Sequence, residues 1–218
     1  MCSLTIASQD FTGLKNTMRF KMKTMIYCAI GAAALSALYV GWTLTARSAY
    51  EAAAYKSISR DSEFEIRQYP DIKLASTSMT SPAANGEDGS FMRLFGYISG
   101  ANESQQKVSM TVPVFMEAET TGESGRMGFV LPREVASSSI PAPASDQVEI
   151  TTREGGQFAV LRFNGYMSQQ QLETAEVRLR EWIADEGLTP AGSAEFAGYD
   201  PPWAPGLLRR NEVLLRVE

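Results

Sequence analysis

The chain has 218 residues, and its 44% hydrophobic content is enough for one domain with a core of its own. It contains no histidine, and its two cysteines, Cys2 and Cys28, both lie near the N-terminus. This composition excludes imidazole metal ligands and histidine general bases, and it excludes thiolate sites from the later part of the chain. The formal net charge is −5. Without a basic stripe, the acidic part after residue 46 is not expected to bind nucleic acid.

Residues 25–46 contain no charged side chain and are close to the ~20 residues with which a helix spans a bilayer. Tyr39 and Trp42 lie near the far end, where aromatic rings favour the membrane interface. Basic residues precede the near end: Lys15, Arg19, Lys21 and Lys23. The positive-inside rule therefore predicts a cytoplasmic N-terminus (1–24), a single-pass signal anchor in the inner membrane (25–46) and an exported C-terminal part.

A cleaved signal peptide is the alternative, because Leu44-Thr45-Ala46 resembles a small-residue cleavage site. The apolar run is longer than the ~7–15 residues of a signal peptide, which favours an uncleaved anchor. Met18, Met22 and Met25 are alternative starts.

Alanine-rich residues 47–57 predict a short stalk, and the globular domain is predicted at 58–218. Strands are expected at 63–69 and 72–80 around Pro70-Asp71, followed by a helix at about 90–99. Glu63 and Glu65 are expected to be solvated on one exposed strand face. Further strands are predicted at 110–117, 127–131, 148–153, 158–163, 195–199 and 211–217.

A second helix is predicted after Ser168, which forms a capping box with Gln171. Its apolar face comprises Leu172, Ala175, Leu179, Trp182 and Ile183, and Gly187 ends it. A pattern of two strands, a helix and two strands thus occurs twice. Two such halves predict an α+β fold, a pseudo-two-fold duplicated ββαββ distorted barrel with two helices outside.

Ordered motifs from about residue 58 onward carry a resemblance to a known family. They are Phe64-Glu65-Ile66-Arg67-Gln68-Tyr69-Pro70, then Leu94-Phe95-Gly96-Tyr97-Ile98-Ser99-Gly100-Ala101-Asn102 with Met110-Thr111-Val112-Pro113-Val114, then Gly198-Tyr199-Asp200-Pro201-Pro202, and finally Arg209-Arg210-Asn211-Glu212-Val213. Together they resemble the SOUL/HBP family of heme-binding proteins. The resemblance implies the same pseudo-two-fold barrel, akin to effector-binding domains of bacterial regulators.

In that family, tetrapyrrole binding is associated with the first helix and the Gly-Tyr-Asp-Pro-Pro loop. The resemblance, with the apolar character of the helix, points to a cofactor-binding set: Phe91, Met92, Arg93, Phe95, Met110, Tyr199, Trp203 and Arg209. Arg93 is expected to pair with a propionate, and Arg209 or Arg210 to replace a lysine that family members often carry.

Each of these residues also has a structural interpretation. Phe91 and Phe95 could belong to the helix core face with Leu94 and Ile98, and Arg93 could be a solvated helix residue. The Tyr199-Asp200-Pro201-Pro202 segment could be a rigid turn in which Asp200 binds loop amides. Residues 209–212 could be an ion-paired start of the last strand.

The chain offers no histidine to iron, which leaves Met92, Met110, Tyr97, Tyr199 or no protein ligand. We therefore expect weak, mainly hydrophobic binding of heme b or a related porphyrin. The predicted function is a membrane-anchored tetrapyrrole carrier, buffer or sensor. The alternative is a non-heme effector-binding or protein-interaction module on the same barrel. An enzyme is not expected, because neither a nucleophile nor a general base is identifiable.

Overall fold

The computed structural model describes residues 25–31, 33–35, 41, 50–84, 88–118, 124–201 and 204–218. The chain divides into two units, Met1–Ala49 and Tyr50–Glu218. In the first unit the described residues are helical and exposed. No helix within the described residues is long and apolar enough to cross a bilayer. Half of the span predicted at 25–46 lies outside these residues, and the span stays a prediction.

The second unit is an α+β domain dominated by antiparallel strands. All eight strands and both helices predicted from the sequence are present, and Pro113 divides the strand predicted at 110–117 in two. The elements are β1 (Glu51–Ala52), β2 (Lys56–Asp61), β3 (Phe64–Tyr69), β4 (Ile72–Met79), α1 (Ser90–Ile98), β5 (Thr111–Val112), β6 (Val114–Glu117), β7 (Gly125–Val130), α2 (Arg133–Ser137), β8 (Glu149–Arg153), β9 (Gly156–Asn164), α3 (Gln169–Asp185), β10 (Pro190–Gly198) and β11 (Arg210–Val217).

Nine strands form one sheet in the order β2-β3-β9-β11-β10-β6-β7-β4-β8. Apart from β2, the order has a two-fold symmetry: it reads the same from either edge when each strand is replaced by its counterpart in the other half of the domain. The counterparts are β3 and β8, β4 and β9, β6 and β10, and β7 and β11. The ββαββ pattern that occurs twice in the sequence therefore corresponds to two sets of strands with the same neighbours in the sheet. The halves meet where β6 pairs with β10, with Phe196 opposite Met116.

The predicted barrel is wrong in one respect, because the sheet does not close. Strands β2 and β8 are its two edges, and no pairing joins them in the described part of the domain. All six residues of β2 are exposed, and five of them, all but Ile58 in Lys-Ser-Ile-Ser-Arg-Asp, are polar. A charged strand of this kind can end a sheet in water and gains no apolar burial from closure.

The N-terminal boundary also differs from the sequence-based expectation. Residues 50–57, predicted as stalk, belong to the folded unit: β1 pairs in parallel with β5, and β2 pairs with β3. The alanine run Ala52-Ala53-Ala54 has high helix propensity, but strand pairing with the domain overrides this weak local preference. The domain thus begins at Tyr50.

Each face of the sheet has its own apolar cluster, because alternate residues of a strand point to opposite faces. Leu161 of β9 belongs to the cluster under the helices, whereas its neighbour Val160 belongs to the cluster on the other face. The helix-covered cluster includes Leu94 of α1 and Leu172, Leu179 and Ile183 of α3.

The predicted cap of α3 is confirmed. The Ser168 side chain accepts a hydrogen bond from the Gln171 backbone N–H at 3.3 Å. Of the predicted apolar face, Leu172, Ala175, Leu179 and Ile183 are buried. Trp182 is half-buried, and its ring stacks on Phe64 with centroids 5.0 Å apart.

We predict that Leu179→Ala lowers the free energy of unfolding by about 2–5 kcal/mol, because Leu179 is fully buried and truncation leaves a cavity. Val177→Ala, on the exposed side of the same helix, should change it by less than about 0.5 kcal/mol. Urea unfolding of both variants tests this. Equal losses would contradict the assigned orientation of α3.

Candidate functional site

A shallow apolar groove lies between α1, the β5–β6 segment and the end of β10. Its volume is about 130 Å³. Pockets that enclose a drug-sized ligand measure roughly 300–1,000 Å³. A tetrapyrrole in this groove would therefore keep much of its surface in water. The groove is lined by Tyr50, Phe91, Phe95, Met110, Val112, Val114, Gly198, Tyr199, Asp200 and Pro201.

Helix α1 provides the aromatic wall of the groove. The predicted core residues Leu94 and Ile98 are buried. Phe91 and Phe95, one turn apart, have stacked rings with centroids 6.2 Å apart, and Phe95 is 44% exposed. Met92 is 63% exposed beside this wall but does not line the groove. The helix therefore presents apolar surface to solvent next to a packed core, a feature typical of binding sites.

Arg93 points away from the groove, toward β4 and the loop before α1. Its guanidinium donates to Thr77 Oγ1 at 2.9 Å, to the Ser78 carbonyl at 2.6 Å and to the Asp88 carbonyl at 3.5 Å. It is neither a solvated helix residue nor part of the groove lining. Its position supports a structural role in fastening the start of α1 to the sheet.

Arg209, the other predicted cation, is also engaged within its own loop. It is buried, its Nε donates to the Ala204 carbonyl at 2.9 Å, and its guanidinium lies 4.8 Å from the centre of the Tyr166 ring. Neither arginine is among the described residues that line the groove. Trp203 lies outside the described residues, so its predicted contact with a ligand stays a prediction.

A buried charge cluster lies behind Tyr199, on the sheet face opposite the helices. Arg67 binds Glu212 with two hydrogen bonds of 2.7 and 3.0 Å, and it also donates to Glu65 at 2.8 Å. Glu212 further accepts from Arg210 at 2.6 Å and from the Tyr199 hydroxyl at 2.8 Å. We call this set the charge cluster; its members are Glu65, Arg67, Tyr69, Tyr199, Arg210 and Glu212.

The charge cluster sets the protonation of its members. Burial alone would raise the pKa of Glu212, but hydrogen bonds and charges from Arg67 and Arg210 outweigh it and lower this pKa to about 2. Burial, followed by the charge of Glu212, raises the pKa of the Tyr199 hydroxyl well above its ordinary value. Glu212 is therefore ionised and Tyr199 neutral at physiological pH.

Glu65 is buried, so the prediction that it is solvated on an exposed strand face is wrong. Both faces of β3 are covered, so alternation of charged and apolar residues does not mark a solvent face here. The structural interpretation of residues 209–212 is confirmed by the Arg210–Glu212 ion pair. Asp200 also binds a loop amide as expected, accepting from the Arg210 N–H at 2.7 Å.

Residues 50–216 match the sequence profile of the SOUL heme-binding protein family. The chain belongs to this family. It is 30% identical over 168 residues to Heme-binding protein 1 of Sus scrofa, covering 73% of this chain and 87% of the relative. It is 28% identical over 156 residues to Heme-binding protein 1 of Xenopus tropicalis, covering 69% and 81%.

The fold recurs in a solved structure of low sequence similarity. The crystal structure of the EcmrR C-terminal domain superposes with a TM-score of 0.50 at 13% identity, covering 75% of this chain and 98% of that domain. At this identity the similarity concerns the fold alone.

The four residues predicted as possible iron ligands in this SOUL protein differ in their surroundings. Tyr97 is buried and donates to the Pro141 carbonyl at 2.8 Å, and Tyr199 donates to Glu212. Met92 does not line the groove, whereas Met110 does. The groove thus offers a flat apolar wall, and of its two tyrosines, Tyr50 and Tyr199, the second donates its hydroxyl to Glu212. The described residues also contain no cluster of three or more acidic or cysteine side chains suited to a metal ion.

The described part of the domain also has a larger cavity of about 320 Å³ beside β6 and β10. Its walls carry charges of both signs, from Glu117, Arg126, Glu195 and Arg216. A wall of this kind is less suited to a flat apolar ligand than the aromatic groove.

We predict that Glu212→Gln lowers the free energy of unfolding at pH 7 by about 3–5 kcal/mol, because it removes the more deeply buried of the two carboxylates that pair with Arg67. A carboxyl whose folded pKa is depressed, here to about 2 from an ordinary 4.5, stabilises the fold above pH 4.5. That stabilisation is lost as pH falls from 4.5 toward 2. The variant should lack this part of the acid dependence.

Urea unfolding at several pH values measures both effects. Glu63→Gln is the matched control, because Glu63 forms a surface ion pair with Arg178 and should contribute less than about 1 kcal/mol. Parallel stability profiles for Glu212→Gln and the unmodified chain would show that the pair does not control acid stability.

Proposed function

We propose that this protein binds heme or a related porphyrin in the groove between α1 and the end of β10. The observation that carries the proposal is the convergence of Phe91, Phe95, Met110 and Tyr199 on one open apolar groove. These residues come from three separate segments of the chain: α1, the residue before β5 and the residue after β10. Membership of a heme-binding family also supports the proposal.

The proposed binding mode is directed at the ring rather than at the iron. Stacked Phe91 and Phe95 offer a flat aromatic surface, and Met110 adapts to an irregular contact. Tyr199 already donates its hydroxyl to Glu212. In an open groove the propionates of the ligand would face water, so no arginine partner is required.

A site of this kind favours reversible binding, which is suited to a carrier, buffer or sensor. Weak, solvent-open contacts allow fast release, because most differences in affinity arise in the dissociation rate. The proposal assigns no catalytic step to the chain. Heme chemistry would depend on the iron itself, while these residues would bind and orient the ring.

The small volume of the groove, about 130 Å³, favours a second candidate. A non-heme amphipathic ligand, or one or two apolar side chains of a partner segment, would fill it more completely than a tetrapyrrole. This effector-binding or protein-interaction module would use the same aromatic wall, so the two candidates are separated by ligand rather than by position.

The test is a titration of the full-length chain with hemin and, separately, with iron-free protoporphyrin IX, followed by absorbance and by quenching of protein fluorescence. We expect saturable, stoichiometric binding of both with similar affinity. Phe95→Ala should weaken both by about tenfold, since loss of about 1.4 kcal/mol of ring contact has that effect. Val177→Ala, on exposed α3 surface, is the matched control.

Three results would contradict parts of the proposal. An unsaturable response to both ligands would favour the non-heme module. Binding of hemin without binding of protoporphyrin would reveal an iron ligand and refute the ring-directed mode. An unchanged affinity in Phe95→Ala would place the site elsewhere on the domain.

We further propose that residues 25–46 anchor the protein in the inner membrane, with the domain outside the cytoplasm. The proposal rests on the uncharged run and the basic residues that precede it. An alkaline phosphatase fusion after Glu218 should be active in a bacterial host, and a matched green fluorescent protein fusion exported by the same route should be dark. The reverse pattern would refute this orientation.

A further inference from the structure

The first residues of the domain form part of the proposed binding site. We call residues 50–55 the strap. Its first residue, Tyr50, lines the groove and is 45% exposed. Strand β1 then pairs with β5, and the Ala53 N–H donates to the Val112 carbonyl at 2.8 Å. Val112 lines the groove as well, so the strap is fastened to one of the groove's own walls.

The other end of the strap is held by the charge cluster. The Arg67 guanidinium lies 4.2 Å from the centre of the Tyr55 ring, and the Tyr55 and Tyr69 rings are 5.3 Å apart. Arg67 is also the partner of Glu212, which accepts from Tyr199 in the opposite wall of the groove. One buried ion pair therefore supports both Tyr199 and the strap that carries Tyr50.

Between its two ends the strap is loosely packed. Ala52, Ala53 and Ala54 provide little apolar area, and a cavity of about 220 Å³ lies between them and residues of β4, β7 and α2. Glu51 adds an ion pair with Arg133 in which both side chains are exposed, a type of contact that contributes little to stability. Glu51 Oε1 also accepts from the Arg133 backbone N–H at 3.1 Å, and Ala53 and Tyr55 pack against the apolar cluster on the face opposite the helices. Docking of the strap therefore depends on the short β1–β5 pairing, on the Glu51 contacts and on the packing of Tyr55 with Arg67.

We propose that Tyr50 contacts the tetrapyrrole, and that Tyr55 and Arg67 are positioning residues that hold the strap so that Tyr50 completes the groove. This inference rests on the proposed function and adds a regulatory element to it. Ligand binding and strap docking stabilise each other, because only the docked strap places Tyr50 against the ligand. A ligand in the groove thereby makes the strap, residues 50–55, dock more firmly on the domain.

A double-mutant cycle on the full-length chain tests the coupling. Tyr50→Ala should weaken binding of protoporphyrin IX by about tenfold, and Tyr50→Phe should retain it. Tyr55→Ala should weaken binding by a similar factor although Tyr55 is not part of the groove lining. The double variant should be no weaker than either single variant, because a released strap no longer presents residue 50. Ile58→Ala, on exposed β2, is the control.

Hydrogen exchange provides a measurement that requires no substitution. The Ala53 amide donates to Val112, so its exchange reports the docked strap. Saturating protoporphyrin should slow exchange at Ala53 in the unmodified chain. In Tyr55→Ala the same amide should exchange faster, with or without ligand.

The outcomes separate this inference from the proposed function. Failure of the unmodified chain to bind porphyrin refutes both. If the chain binds porphyrin normally and Tyr50→Ala has no effect, the proposed role of the strap is refuted but the proposed binding site is not. Additive effects of Tyr50→Ala and Tyr55→Ala have the same meaning. Unchanged exchange at Ala53 on ligand binding overturns the coupling even where Tyr50 contributes to affinity.

Discussion

The paired charges of Arg67 and Glu212 are the constraint on which this domain depends. Both side chains are almost completely removed from water, at 1% and 0% exposure. Desolvation of two ions is costly, and mutual attraction offsets the cost only where the geometry is good and the remaining polar atoms are bonded. Here a two-point contact, a second carboxylate from Glu65 and a hydroxyl from Tyr199 meet that condition. The pair also joins β3 to β11 across the intervening β9.

Duplication of the fold explains where the groove forms. The two halves meet at the β6–β10 pair, and the groove lies beside this junction, next to α1. Its lining takes Met110, Val112 and Val114 from the first half and residues 198–201 from the second. Neither half could build the groove alone. The described cavity of about 320 Å³ beside the same β6–β10 pair has Glu117, Arg126, Glu195 and Arg216 among its lining residues and no aromatic wall.

Local sequence rules predicted the elements well and their surroundings less well. The period of apolar residues located α1 and α3, and Ser168 and Gln171 marked the start of α3, because these signals arise within a single turn of chain. Strand β1 was missed because the alanine-rich segment around Glu51–Ala52 carries no strand preference, and the pairing of these two residues with β5 depends on tertiary structure. Burial of Glu65 and Arg67 was missed because it depends on Glu212, the partner of Arg67, which lies 145 positions away in the sequence. Closure of the sheet was predicted wrongly, since it depends on twist and on the polarity of the edges rather than on any local pattern.

For the candidate site, the sequence predicted which aromatic residues line the groove, but it did not predict the hydrogen-bond partners of the polar residues. The groove contains four of the predicted residues: Phe91, Phe95, Met110 and Tyr199. Arg93 and Arg209 instead donate hydrogen bonds to nearby backbone carbonyl oxygens. A long cation can reach several acceptors, so its partner is set by tertiary structure. The spacing of Phe91 and Phe95 along α1, in contrast, already places them on one face of the helix. The same distinction limits the chemistry of the groove. Because the Tyr199 hydroxyl is directed into the charge cluster, its oxygen serves the fold. In the proposed binding mode, selectivity for a flat ring would therefore follow from the shape of the groove rather than from a bond between Tyr199 and a metal.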